Sequence, residues 1–491
     1  MKKYAIIIMA AVAVSMGMYS CSDDFLEQLP TEDTAAESVT ATTGNLMLAI
    51  NGIHRSLYLR YNSQGEGGLG SMMIQVDMLG EDLVMTSAGN GWFNNMYKWL
   101  DHVNANDADN LFPYRVYYRI VRNANVIING AANAVGPDEE RNIALGQALT
   151  YRAFCFFQLV QLYGGRYEAG GGNTQPGIAL PLVVDGELLP RSTVEETYVQ
   201  INKDLDEAIV LLADYVRPNK SHLDRSVALG LKARVALVQG NWNLAAQFAE
   251  EAREGYTLMD NDQYRSGFND YTNPEWMWGS HIQEDQTLFF ANYGAYMSRN
   301  FSSTNIRTNP KAIFTVLYNM IPATDVRSTI FDPTGLHLEL ALPGSFAKYP
   351  YTSQKFLAAG TGDSRMDIPY MRAAEMYLIE AEAKARLGAP DAAQVLFELV
   401  SNRDPAYVLS GNAGQALVDE ILIQRRIELW GEGFRFLDLK RLNAPLDRNG
   451  GNHNATLTGG IFDIPAGDTR WQWQIPQDEI NANPLIVQNP I

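Results

Sequence analysis

The sequence predicts a mainly α protein, a scaffold of about four tetratricopeptide-like helical pairs carrying a loop-rich, partly β ligand-binding face. Three observations lead there. Apolar residues recur at i, i+3 and i+4 over most of 42–258. Two helical hairpins repeat each other about a shared glycine, and segments 61–110, 164–191 and 260–370 break the periodicity with Gly, Asn, Asp and aromatics.

The elements follow in chain order. Lys2 and Lys3 precede an uncharged apolar run from Ala5 to Val14, too short for a membrane-spanning helix of ~20 residues. Residues 1–20 therefore read as a lipoprotein-type signal peptide. Met18-Tyr19-Ser20-Cys21 resembles a bacterial lipobox, with Ser20 as the small residue before an acylated Cys21. Several acyl chains would anchor stably where one is marginal, at ~0.8 kcal/mol per buried CH₂. Ser22-Asp23-Asp24 resembles the acidic tag of surface lipoproteins in Bacteroidetes-type bacteria. Residues 21–40 read as a lipidated tether. Residues 41–491 read as a single body, divided into halves of about 41–260 and 261–491.

Within the body, Val194, Tyr198, Ile201, Leu205, Ala208, Ile209 and Leu212 share one helix face, behind an N-cap at Ser192-Thr193. The repeat lies in Ala228–Ala252 and Ala374–Leu399, each read as two helices joined at a turn. Aligning Gly240 with Gly388 also aligns Ala233 with Ala381 and Ala245 with Ala393. Small residues there let paired helices approach closely, and glycine suits the helix C-terminus. Two further pairs complete the scaffold, Thr43–Arg60 with Phe112–Asn129 and Asn142–Tyr163 with Val194–Leu212. Residues 443–491 form a Pro/Asn-rich tail expected to wrap back onto the body.

Composition removes several functions. Lys+Arg number 38 against 56 Asp+Glu, a formal charge of −18, which excludes sequence-independent nucleic-acid binding through phosphate neutralisation. That acidity also mildly disfavours polyanionic ligands. Signal-peptide cleavage removes Lys2 and Lys3 and no acid, so the mature chain is more acidic still. Of two cysteines, Cys21 is the expected anchor. Cys155, in Ala153-Phe154-Cys155-Phe156-Phe157, is expected to be a buried, inert thiol.

No phosphate-binding G-x-x-x-x-G-K-[ST], no H-E-x-x-H and no G-x-S-x-G occurs. Gly65–Gly70 matches G-x-G-x-x-G but lacks a preceding strand, so it reads as a flexible loop. The six histidines are scattered, with no zinc-ligand spacing. Asn104–Asn110 (NANDADN) is oxygen-rich and offers Ca²⁺ ligands, yet it lacks the distal bidentate Glu of a calcium loop. Helix capping by Asp107 or Asp109 is its expected role. No metal site and no cofactor is assigned, and no pair of carboxylates stands out as a glycosidase dyad. A binding protein, not an enzyme, is the reading that remains.

The C-terminal third carries the most specific pattern. Gln424-Arg425-Arg426-Ile427-Glu428-Leu429-Trp430-Gly431-Glu432-Gly433-Phe434-Arg435-Phe436-Leu437-Asp438-Leu439-Lys440-Arg441 closely resembles a signature of the SusD/RagB family. So do Trp473–Ile480, Tyr151-Arg152-Ala153-Phe154, Leu162-Tyr163-Gly164-Gly165 and Arg372–Leu378. The resemblance implies a non-catalytic outer-membrane lipoprotein that captures a glycan, or in some members a peptide, as the lid of a TonB-dependent, SusC-like barrel transporter. It also implies that Arg425, Arg426 and Glu428 form ion pairs rather than hold ligand.

Sugar recognition calls for exposed aromatic platforms flanked by amide and charged groups. Asn90–Asn95 and Asn292–Asn300 offer that mixture, so Trp92, Asn94, Asn95, Tyr293, Tyr296 and Arg299 are the candidate ligand residues. Trp276 and Trp278, alternating on an expected strand, and Trp471 and Trp473 read as structural. A peptide-binding homologue is the alternative, and a surface glycosidase the third.

Overall fold

The structure, a computed structural model, describes residues 36–286, 288 and 290–491. The signal peptide, Cys21 and most of the tether lie outside the described residues.

Eight helices build the scaffold: α1 (Thr43–Ser56), α2 (Ala108–Gly130), α3 (Asp138–Tyr163), α4 (Val194–Leu211), α5 (Arg225–Gln239), α6 (Trp242–Ala252), α7 (Ala373–Leu387) and α8 (Ala392–Arg403). Local chemistry sets their ends. Asp107 caps α2 by accepting from the Asp109 amide at 2.8 Å, the capping role expected of it. Thr193 and Glu196 form a reciprocal capping box on α4. Gly240 and Gly388 close α5 and α7 in the left-handed conformation. The pairs α2/α3, α3/α4, α5/α6, α6/α7 and α7/α8 pack against one another, and α1 lies across α2 and α3. This is the stacked-hairpin arrangement expected from the repeat. The long apolar α3 is the core helix of that stack, its Cys155 buried with the thiol pushed well above its ordinary range by desolvation.

The excursions depart from the expected picture in one place. Residues 61–110 do not form a continuous loop: Gly68–Met78 is a helix buried along its whole length. At Gly68 a Cβ would lie 2.1 Å from the Leu57 carbonyl oxygen, so the glycine marks a close backbone approach rather than a flexible loop. A helix wetted on no side carries no amphipathic period, which is why its spacing gave no helical signal.

Strands are short. Leu83–Met85 (β1), Lys311–Ile313 (β3), Phe331–Asp332 (β4) and Thr352–Ser353 (β5) form one antiparallel sheet in the order β1-β3-β5-β4. Trp276–Ser280 (β2) pairs antiparallel with Ile368–Arg372 (β6), and Trp276 and Trp278 are both buried. Trp471 and Trp473 are buried too, and the tail binds the body: Asn489 Nδ2 donates to the Tyr163 carbonyl at 2.8 Å.

The family-like signature folds into the structural centre. Arg372 reaches Glu275, Glu428 and Glu432; Arg403 reaches Glu275 and Glu428; Arg327 reaches Asp325 and Glu428. Arg425 pairs with Asp438 at 2.7 Å and Arg426 with Asp82 at 2.5 Å. These pairs tie the helix Gln415–Glu428 to the scaffold, to β6 and to the segment before β1.

Candidate functional site

The two expected ligand loops meet at one opening of about 230 Å³, lined by Gln64, Asn90, Trp92, Phe290, Tyr296 and the segment 302–307. Backbone geometry presents the aromatics. Phe93, left-handed at φ 63°, turns its ring inward against Tyr296 at 5.2 Å and 90°, while Trp92 stays partly exposed at the rim. Trp92 meets Tyr296 edge-on, with centroids 6.4 Å apart. On the opposite loop Asn292 caps the short helix Tyr293–Met297 by accepting from the Ala295 amide at 2.9 Å. Tyr296 is fixed there by donating its hydroxyl to the Gln64 carbonyl at 2.5 Å. Burial, more than the opposing Asp109 and Arg60 charges, pushes that hydroxyl above its ordinary pKa, so it stays a donor at any working pH.

Tyr293 and Arg299 are buried instead, and the reading of these two as sugar contacts is corrected. Tyr293 is 0% exposed, donates its hydroxyl to the Gly431 carbonyl and packs edge-on against Phe356. Arg299 is buried, donates to the Ala347 carbonyl at 2.8 Å and lies over the Phe346 ring. Loop composition marks both; Tyr293 turns into the core on the inner face of its short helix, and Arg299, just past that helix, is buried against Ala347 and Phe346. Asn94 donates to the Ala88 carbonyl at 3.0 Å, tying its own loop. Asn95 serves the Asp101 carboxyl.

The sequence reading missed Asn305. It lies in the short helix Thr304–Thr308, capped by Ser303. Only 5% exposed, it lines the opening, and among the described residues neither its Oδ1 nor its Nδ2 has a hydrogen-bond partner. A buried amide without partners is costly, and the protein uses neither its donor nor its acceptor. The polar run Ser302-Ser303-Thr304-Asn305 was its only sequence signal, and such runs are common in loops.

Behind the opening stands the oxygen-rich segment. Carboxylate oxygens of Asp101, Asp107 and Asp109 lie within 4.8 Å of one another, the one such potential metal-binding group among the described residues. Burial first, then the neighbouring aspartates, pushes Asp101 up to about 7 and Asp109 up to about 6. These are hard-oxygen donors of the kind Ca²⁺ takes.

Comparison with known proteins agrees along the chain. The SusD family model matches residues 242–491, and a SusD-like model described as starch-binding, associating with outer membrane, matches residues 25–237. SusD-like protein P38 of Formosa agariphila is 25% identical over 385 residues, 67% of this chain and 72% of that protein. The crystal structure of a SusD-like carbohydrate-binding protein from Bacteroides vulgatus superposes with a TM-score of 0.80 at 25% identity, covering 91% of this chain and 97% of that one. A SusD superfamily structure from Bacteroides thetaiotaomicron gives 0.78 at 25% identity, covering 92% and 100%. With both halves matched and the fold shared almost end to end, this chain belongs to the SusD family.

Proposed function

We propose that the chain is a surface glycan-binding lipoprotein that captures an oligosaccharide at the Trp92–Tyr296 opening. It delivers the glycan uncleaved to a TonB-dependent, SusC-like barrel, held at the outer membrane by lipid on Cys21. The observation that carries this reading is an aromatic platform beside an unpartnered, buried amide at Asn305. An apolar ring suits the C–H face of a pyranose, and an amide that both donates and accepts suits its vicinal hydroxyls. Among the described residues no carboxylate lines the opening, so none there forms the facing acid pair on which most glycosidases depend. The starch-binding, outer-membrane description of the matching family and the carbohydrate-binding relative of known structure support the same reading.

Isothermal titration of the purified protein against a glycan panel and a peptide mixture tests it. Binding of a glycan, with the sugar recovered intact after long incubation, is the expected result. Binding confined to peptides would sink the reading, and release of shortened products would replace capture by hydrolysis. Co-purification of a barrel partner in mild detergent is the expected result for delivery; a protein isolated free of any barrel would remove that step.

A further inference from the structure

The charge lining the opening goes further than the aromatics do. Among the described residues that line it, Arg307 alone carries a charge. Its guanidinium is held in place by its own short helix, with Nε donating to the Ser303 carbonyl at 3.3 Å and Nη2 to Thr304 Oγ1 at 3.3 Å. Among the described residues no carboxylate lies within ion-pair distance of it, in a protein where acids outnumber bases and most buried arginines are paired. Asn305, with both amide atoms unpartnered, stands two residues away on the same turn.

Charges outside the lining are mixed in sign. Arg60 and Asp109 both act on the Tyr296 hydroxyl, from opposite signs. Asp109 is not in the lining, and Gly65 stands between it and the platform. A Cβ at Gly65 would lie 3.5 Å from Trp92 Cε3 and 3.8 Å from Asp109 Oδ1.

We propose that the opening takes an acidic glycan, its anionic group held by Arg307 while Asn305 bonds the adjacent hydroxyls and Trp92 stacks on the ring. The proposal rests on the glycan reading above. A planar guanidinium matches the oxygens of a carboxylate or a sulfate ester two at a time, and such charge-assisted bonds are shorter and stronger than bonds to a neutral hydroxyl. The overall charge of −18 opposes a polyanion at long range. Beyond about 8 Å at physiological salt that opposition is screened, so contact with Arg307 decides.

Matched sugars test this on the full chain. Oligogalacturonides are titrated beside their carboxyl-reduced, neutral counterparts, and a sulfated oligosaccharide series beside its desulfated form. At least one acidic member should bind about tenfold tighter than its neutral twin, and whichever pair shows it identifies carboxylate or sulfate as the group recognised. Arg307→Gln should bring the two members of that pair to near-equal affinity, and Arg307→Lys should restore part of the difference. Affinity of wild type for the acidic member should fall as salt is raised, a readout that needs no variant. Equal or tighter binding of the neutral twins, or of neutral glycans alone, would overturn the acidic-glycan assignment and leave glycan capture standing. An acid preference untouched in a folded Arg307→Gln protein would overturn the role of Arg307. Failure of every carbohydrate to bind would remove the glycan reading itself.

Discussion

A tryptophan ring partly in solvent can stack on a sugar because its outer face is not already used by the protein; a fully buried tyrosine has no face to offer. Trp92 is of the first kind and Tyr293 of the second. Trp92→Ala is expected to weaken glycan binding by about 1–2 kcal/mol, roughly 5- to 30-fold, through lost apolar contact, with the melting temperature nearly unchanged. Tyr293→Ala should do the reverse, costing about 3–5 kcal/mol of stability by opening a core cavity. Tyr293→Phe should cost only about 1–3 kcal/mol, by leaving the Gly431 carbonyl unpaired. Denaturant unfolding and titration of each variant separate the two roles.

Helices α5 and α7 end alike, and their closing glycines offer a matched experiment. Gly240 and Gly388 both sit at φ 70°, where any Cβ costs about 1–2 kcal/mol. Around Gly388 nothing lies within 4 Å of a new Cβ, whereas at Gly240 it would stand 2.8 Å from the Ala169 Cβ. Gly388→Ala should therefore cost only the conformational strain, and Gly240→Ala visibly more, because segment 164–191 would have to shift. Comparing urea midpoints of the two variants checks this; equal losses would refute the packing argument. At this scale the repeat was readable because alanine and glycine mark tight helix approach in sequence. Gly68–Met78 was not readable, because burial on every side leaves no polar face to mark the turn of the helix.

Across the whole molecule, buried charge joins segments far apart in the chain. Glu428 is reached by Arg327, Arg372 and Arg403, which hold its carboxyl well below the usual range against the opposing effect of burial. Removing one partner from such a set leaves the others uncompensated, so Glu428→Gln should cost about 3–5 kcal/mol. Asp438 is opposed by burial, yet Arg425 and Arg441 hold it down at about 2 from its ordinary 3.8. A carboxyl whose folded pKa lies below its unfolded one contributes stability above the unfolded value, and that contribution fades as pH falls toward the folded one. From Asp438 this amounts to on the order of 2 kcal/mol, lost between about pH 4 and pH 2. Urea titrations at a series of acidic pH values should show the loss, and Asp438→Asn should flatten it within that window.

The sequence by itself determined the helical-hairpin scaffold, its capping residues, the buried thiol and the structural part of the signature, since each is written in local spacing or in the burial of an apolar run. The two loops it marks for ligand chemistry, 90–95 and 292–300, meet at one opening. Which side chains of those loops face the opening was decided only by tertiary structure. Tyr293 and Tyr296 are three residues apart on one short helix, yet one is sealed against Phe356 and the other lines the opening beside Trp92. Asn305 and Arg307 join them from a segment that composition does not distinguish from any other polar turn. A binding site is a convergence of distant segments, and local spacing carries no record of which segments converge.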